Sequence, residues 1–192
     1  MTISSRKSIG PPRSVPVPHS VKIVIAGRSG SDTAAFIRSI SDSLATAPTQ
    51  SPAEAGAAGE PNNGRPDTNT SAVLHIGRIL LAQDLVLFLF GIGGARALRD
   101  EVARGAAGAV VLAFPGHEAS GRAAIDYFGA YGIPFVVAVP RVEDSTAADD
   151  DLRAQLGIPR NGLVLATDTR ARASIKAVLT TLIEHAIAQK AP

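Results

Sequence analysis

The first apolar run of the chain, VKIVIAG, is followed by residues whose types could bind an anion. Glycines and serines in a turn that opens a helix can point their backbone N–H groups at a phosphate. A nearby arginine would add a positive charge. The candidate contacts are Gly27, Arg28, Ser29, Gly30, Ser31 and Thr33.

The spacing of these residues approaches the phosphate-loop pattern G-x-x-x-x-G-K-[ST], whose lysine reaches the terminal phosphates and whose hydroxyl holds magnesium. Counting from Gly27, the chain has Asp32 in place of the second glycine, Thr33 in place of the lysine and Ala34 in place of the hydroxyl residue. A hydrogen bond to a charged group contributes about 1.5–3 kcal/mol, so losing two lowers affinity on the order of a hundredfold or more. The sequence therefore predicts the shape of an anion site without its countercharge, and no bound cofactor is expected.

The elements that would position this turn alternate between short apolar runs and longer segments of helical period, which indicates an α/β fold with buried, mostly parallel strands. The predicted parallel strands are Val21–Ala26, Ala109–Ala113, Phe135–Val139 and Leu163–Ala166. The predicted helices are Asp32–Leu44, Ala95–Arg104, Glu118–Tyr131, Ala147–Leu156 and Thr169–Ala188. Helices are expected on both faces of the sheet.

Two further strands, Ala72–Ile79 and Leu85–Phe90, are joined by a link too short for a parallel crossover, so one antiparallel strand is expected in a sheet of six. The segment Ala45–Ser71 has almost no large apolar residues and predicts a long mobile loop. Residues 1–20 are rich in proline, serine and basic residues and predict an unstructured tail. The folded domain is therefore expected to span residues 21–190.

The composition argues for one domain and against several classes of partner. With 192 residues and 45% hydrophobic content, the chain can bury one core. The net charge is +2, but Arg6, Lys7 and Arg13 lie in the tail, which leaves −1 elsewhere and predicts no nucleic-acid surface. The absence of cysteine fits a reducing cytosol. The longest apolar runs, such as Leu85–Phe90, fall far short of the roughly 20 residues of a membrane span.

The order of strand, turn, helix, long loop, hairpin and repeated helix and strand resembles that of Ras-like small G domains with a phosphate-loop NTPase fold. More narrowly, the chain resembles the actinobacterial conservon ATP/GTP-binding proteins, which are related to bacterial gliding-polarity GTPases. The segments that carry this resemblance are VKIVIAG, DLVLFLFGIGG, RGAAGAVVLAF, AIDYFGAYGIPFVVAV and SIKAVLTTLIEHAI.

The resemblance implies further site positions in this chain. Where the family has a turn similar to G-T-P-G-Q, the chain has Gly91–Ala95, and an alanine cannot orient water for hydrolysis as a glutamine can. We expect these glycines to form a flexible connection between a strand and a helix. Glu143 corresponds to the acidic residue of an N-K-x-D-type base-binding segment, in which Pro140 replaces the asparagine. Asp168 matches the acidic position of the last loop, although it could equally be a charge at a helix N-terminus.

These departures predict a regulatory protein with a degraded nucleotide site, a pseudoGTPase, with no catalytic residue and no metal ligand assigned. The resemblance implies partners in a conservon complex, namely a roadblock-like protein and a histidine-kinase-like sensor, in the cytoplasm, with recruitment to a membrane through a partner left open. The alternative is a weak GTP- or ATP-binding switch with little or no hydrolysis, which would bind GTP or GDP with magnesium. Whether the protein is an enzyme stays open, and any activity would be that of a GTPase.

Overall fold

A computed structural model of the protein describes residues 19–48, 73–93, 100–140, 149–158 and 162–190. The strands in these residues are β1 (His19–Gly27), β2 (Ser43–Pro48), β3 (Val73–Ala82), β4 (Leu85–Gly93), β5 (Ala106–Leu112), β6 (Phe135–Pro140) and β7 (Val164–Thr167). The helices are α1 (Gly30–Ile40), α2 (Asp100–Ala103), α3 (Glu118–Ala130), α4 (Asp149–Leu156) and α5 (Arg172–Lys190).

The strands form one sheet in the order β2-β3-β4-β1-β5-β6-β7. Strand β3 runs antiparallel to both of its neighbours, and the other pairs are parallel. The predicted α/β class, with a mostly parallel sheet and one antiparallel strand, is therefore confirmed. The described sheet has seven strands, however, and not the six that the sequence predicts.

The central strands are buried on both faces of the sheet, and alternate residues of such a strand point into opposite cores. In β1, Ile23 and Ile25 lie in a core with α1 and α5, whereas Val24 and Ala26 lie in a second core with α3 and α4. This arrangement explains why β1 reads as a continuous apolar run, and it places the turn after β1 at the carboxyl edge of the parallel strands.

The additional strand β2 corrects two predicted boundaries. Helix α1 ends at Ile40, four residues before the predicted end, and β2 then occupies the first residues of the predicted mobile loop up to Pro48. Among the described strands, β2 lies at the edge of the sheet and pairs only with β3. Leu44 is its one large apolar residue and packs against the first core, so the strand shows no apolar alternation by which the sequence could reveal it. Residues 49–71, the rest of the predicted loop, lie outside the described residues, as does Ala72, the first residue of the next predicted strand.

The first strand begins at His19, two residues earlier than predicted, and the backbone N–H of His19 donates to the carbonyl of Asp84 at 2.6 Å. Residues 1–18 of the predicted tail lie outside the described residues. In the part of the chain that the structure describes, no helix has the length and apolar character needed to cross a membrane.

Candidate functional site

The turn after β1 is shorter than the sequence pattern suggests. Strand β1 ends at Gly27 and α1 begins at Gly30, so only Arg28 and Ser29 connect the two elements. The positions that correspond to the second glycine and the lysine of a phosphate loop, Asp32 and Thr33, therefore lie within the first turn of α1. Helix α1 therefore begins two residues before Asp32, the position at which the phosphate-loop pattern has its second glycine.

The N-terminus of α1 is capped by the protein's own side chains. Ser29 is the N-cap, and its Oγ accepts a hydrogen bond from the backbone N–H of Asp32 at 3.3 Å. The same hydroxyl lies 2.7 Å from Oδ2 of Asp32, to which it donates. The spacing of serine and acid is that of a capping box, which satisfies N–H groups that a helix start leaves unpaired. The carboxylate of Asp32 thus lies at the positive end of the helix, where a bound anion would be expected.

The only basic residue of the turn is already paired. Nε of Arg28 donates to Oδ2 of Asp32 at 3.0 Å, and the guanidinium carbon lies 4.2 Å from the centre of the Phe114 ring. The side chain of Arg28 is 39% exposed, whereas that of Asp32 is 13% exposed. The positive charge is therefore compensated within the site, and the arginine is held against the aromatic ring.

The backbone of the turn lacks the curvature of an anion-binding concavity. Such a concavity forms where a right-handed and a left-handed residue follow one another, so that successive N–H groups converge. Within the described residues, positive φ angles occur only at Gly105, Gly116, Gly132 and Gly157, all far from this turn in sequence. The glycines at positions 27 and 30 consequently serve close packing and not a left-handed conformation.

The expectation of a flexible connection at Gly91–Ala95 is wrong for its first three residues. Gly91, Ile92 and Gly93 continue β4, and Gly93 pairs with Gly27 at the end of β1. A Cβ atom added at Gly93 would overlap the backbone of Ser29 and Gly30. Because residues two apart in a strand share a face, Gly91 and Gly93 both lie against α1 and its turn, while Ile92 is buried in the opposite core. Residues 94 and 95 lie outside the described residues.

Thr33 faces the interior and not the solvent. It is fully buried, and its hydroxyl donates to the backbone carbonyl of Gly30 at 3.0 Å. A Cβ atom added at Gly27 would lie 3.0 Å from Cγ2 of Thr33, and one added at Gly91 would lie 2.9 Å from Cβ of Thr33. Thr33 therefore fills the space between α1 and the two central strands.

His75 of β3 also belongs to this region, which sequence reasoning missed. Its Nε2 lies 3.2 Å from the place that a Cβ atom of Gly30 would take, and its Nδ1 lies 3.4 Å from the hydroxyl of Thr46 in β2. Burial lowers the pKa of His75 below its usual value of 6.5, and the positive charge of Arg38 lowers it further. The sequence separation between His75 and the turn left no local signal for this contact.

The predicted base-binding positions do not converge on the turn in the described structure. Asp168 follows β7, and its Oδ1 accepts from the N–H of Arg170 at 2.8 Å, which closes the turn before α5. This turn contacts α1 through Ser39, whose hydroxyl donates to the carbonyl of Thr169 at 2.9 Å. At 1.5 Å per residue, Ser39 lies about 13 Å along the helix from its first residue. Glu143 lies outside the described residues, and Pro140 is the last residue of β6.

The strand order and the single antiparallel strand place the protein in the α/β class with a small-G-domain-like arrangement. Among solved structures, the chain is similar to the cytosolic domain of the T. maritima FeoB iron transporter in its apo form, with a TM-score of 0.53 and 13% sequence identity. The match covers 88% of this chain and 64% of that one, so the chain spans less than two thirds of the FeoB domain's length. At this identity the similarity concerns the fold alone. Neither the protein-family models nor the curated proteins gave a match.

Proposed function

We propose that the protein is a pseudoGTPase, a G-domain-like regulatory protein with a degraded nucleotide site that acts through protein–protein contacts in a conservon-type signalling complex. The observation that carries this proposal is the internal cap on α1, in which Ser29 and Arg28 both bind the carboxylate of Asp32. A chain that fills its own anion site has no need of a bound phosphate to hold the turn.

The electrostatics of the turn support the same proposal. A phosphate entering this site would meet the negative charge of Asp32, and like charges 4 Å apart repel by about 4 kcal/mol at an effective dielectric constant of 20. The phosphate would also have to displace the carboxylate from Ser29 and Arg28. The absence of a left-handed residue in the turn leaves few converging N–H groups to offset these costs.

The partners that we propose are a roadblock-like protein and a histidine-kinase-like sensor, with contacts in the regions Ala45–Ser71 and Gly91–Arg104. The described parts of these regions differ in what they offer. Gly91 and Ile92 are buried, whereas β2 is the edge strand of the sheet that the described residues form, and in it β2 pairs on one side only. An edge strand can accept an extended segment of another protein through backbone hydrogen bonds. Strand β2 is therefore the described element best suited to a partner.

A nucleotide titration tests the proposal against the alternative of a weak GTP- or ATP-binding switch. The purified protein is titrated with fluorescent GDP, GTP and ATP, each with and without magnesium. We expect no binding at millimolar nucleotide. Submicromolar, magnesium-dependent binding would contradict the pseudoGTPase proposal, and weaker but saturable binding would favour the alternative.

A pair of isosteric variants tests whether the carboxylate at the helix start is what excludes anions. Asp32→Asn removes the charge that pairs with Arg28 four residues before it. Asp126→Asn is the matched control, because Asp126 also faces an arginine four residues before it, Arg122, but on the exposed side of α3. We expect Asp32→Asn to raise affinity for inorganic phosphate at least about tenfold through the freed helix N-terminus and Arg28, without creating tight nucleotide binding. An equal response of the two variants would show that the cap does not govern anion access.

A further inference from the structure

Lys22 is a charged residue on the inner face of the central strand β1. Val24 and Ala26, two and four residues further along the strand, lie in the second core, so Lys22 belongs to the same face of β1. In the sheet it pairs with Phe88 of β4 on one side and with Ala106 of β5 on the other. A lysine therefore lies where the pattern of the strand would favour an apolar side chain.

The amine of Lys22 binds the end of α2. Its Nζ donates hydrogen bonds to the backbone carbonyls of Glu101 at 3.1 Å and of Arg104 at 3.0 Å. A helix leaves its last carbonyls unpaired, and these form the negative end of the helix dipole. Nζ also lies 5.1 Å from the centre of the Phe90 ring, within the range of a cation–π contact. All three contacts are strongest when the amine carries its positive charge.

The surroundings of Lys22 strengthen these contacts. Burial lowers the pKa of Lys22 below its usual value of 10.5, because the ammonium is partly removed from water. Charges attract more strongly where water is excluded. The attraction between the ammonium and the two carbonyls is therefore less screened than that of a lysine on an open surface.

Helix α2 depends on this attraction because its own apolar contacts are small. It is a single turn, and one turn of helix is not stable by itself. Its two apolar side chains are Val102, which packs against the second core, and Ala103, which is 3% exposed. Gly105 follows with a φ of 73°, a left-handed conformation typical of the residue after a helix end. The chain can therefore turn at Gly105 without disturbing β5.

The position of α2 also determines one wall of a surface hollow. The hollow has a volume of about 460 Å³ and lies between Ala103–Ala107 at the end of α2 and Tyr131–Pro134 after α3. Movement of α2 away from the sheet would expose Ala103 and remove part of this wall. The amine of Lys22 thus fixes a feature of the surface through the helix that it binds.

We propose that the positive charge of Lys22 holds α2 against the sheet, and that loss of this charge releases α2 while the rest of the domain stays folded. The sheet does not need α2, because β1 pairs directly with β4 and β5. Release would alter the region Gly91–Arg104, which we propose as a partner contact. That consequence rests on the proposed function, whereas the release itself does not.

Cysteine labelling of the full chain tests the proposal, because the chain has no cysteine of its own. Ala103→Cys places a thiol in α2, and Ala124→Cys places one in α3 at an equally buried position, since both alanines are 3% exposed. The rate of reaction with a maleimide measures how often each position opens. Lys22→Met removes two hydrogen bonds from a charged group, so labelling at position 103 should become at least about tenfold faster. Labelling at position 124 should change by less than about twofold.

Two further variants serve as controls. Lys176→Met removes an exposed lysine from α5 and should change labelling at position 103 by less than about twofold. Lys22→Arg keeps the positive charge and should label at position 103 more slowly than Lys22→Met.

Four results would overturn the proposal. Lys22→Met could leave labelling at position 103 unchanged, or Lys22→Arg could label there as fast as Lys22→Met, which would make the charge irrelevant. Lys22→Met could accelerate both positions equally or fail to fold, which would show that Lys22 supports the whole domain and not α2 in particular. Since the labelling uses neither nucleotide nor partner, each of these results would leave the proposed function standing.

Discussion

At the scale of the residue, Gly93 of β4 lies so close to the turn after β1 that no side-chain atom fits between them. Gly93→Ala should destabilise the fold by about 1–3 kcal/mol, because the new methyl group would overlap the backbone of Ser29 and Gly30. Gly129→Ala is the matched control, since a Cβ atom there meets nothing within 4 Å and α3 gains helix propensity, a stabilisation of roughly 0.5–1 kcal/mol. Urea unfolding of both variants measures the difference. If the two variants changed the free energy of unfolding equally, close packing of β4 against the turn would not contribute to stability.

His75, which lies beside the turn, makes the stability of the fold depend on pH, and the lowered pKa of His75 determines the direction of that dependence. Because the pKa of folded His75 lies below 6.5, the unfolded chain takes up a proton first as the pH falls. Stability therefore decreases as the pH falls through 6.5 and levels off only below the folded pKa. His75→Gln should remove this part of the pH dependence in urea unfolding, while His117→Gln, at the exposed start of α3, should keep it. A slope that survives in His75→Gln would assign the effect to another group.

At the scale of the element, the first turn of α1 decides whether a phosphate loop can be rebuilt. Restoring the pattern lysine with Thr33→Lys should destabilise the fold by several kcal/mol, because Thr33 is fully buried and a lysine there would be desolvated. Ser31→Lys places the same residue at an exposed position two residues earlier and should cost less than about 1 kcal/mol. Urea unfolding and the nucleotide titration, run on both variants, check this. A stable Thr33→Lys variant that binds GTP would mean that the helix start can unwind into a loop.

The elements also mark how far the sequence could predict the structure. The buried strands and long helices were predictable because their apolar periodicity is strong, as in β1 and α5. Strand β2 was not, since Leu44 is its one large apolar residue and its partner β3 follows only after 24 further residues. The candidate contacts Gly27 to Ser31 were predictable as a turn, and the Ser29 cap that starts α1 early is a local contact three residues long. The packing of Gly93 against Ser29 and Gly30 was not predictable, because it joins distant segments of the chain.

At the scale of the whole molecule, the two cores share one sheet, and β1 contributes to both. Removing a buried side chain from either core should therefore lower the free energy of unfolding of the entire domain. Phe36 in the first core and Phe128 in the second are fully buried, so Phe36→Ala and Phe128→Ala should each cost about 3–5 kcal/mol. The same reasoning predicts that each variant unfolds in one transition.

The chain's own chromophores allow a sharp test of this coupling. It has two tyrosines, Tyr127 and Tyr131, both at the end of α3, and no tryptophan, so tyrosine fluorescence reports on the second face only. Circular dichroism reports on all helices and strands. In Phe36→Ala, the new cavity lies on the first face of the sheet. The unfolding midpoints measured by circular dichroism and by tyrosine fluorescence should both decrease by the same amount, because the shared sheet couples the two cores. If circular dichroism shifts while the tyrosine signal keeps its original midpoint, the two layers unfold separately and the sheet does not couple them.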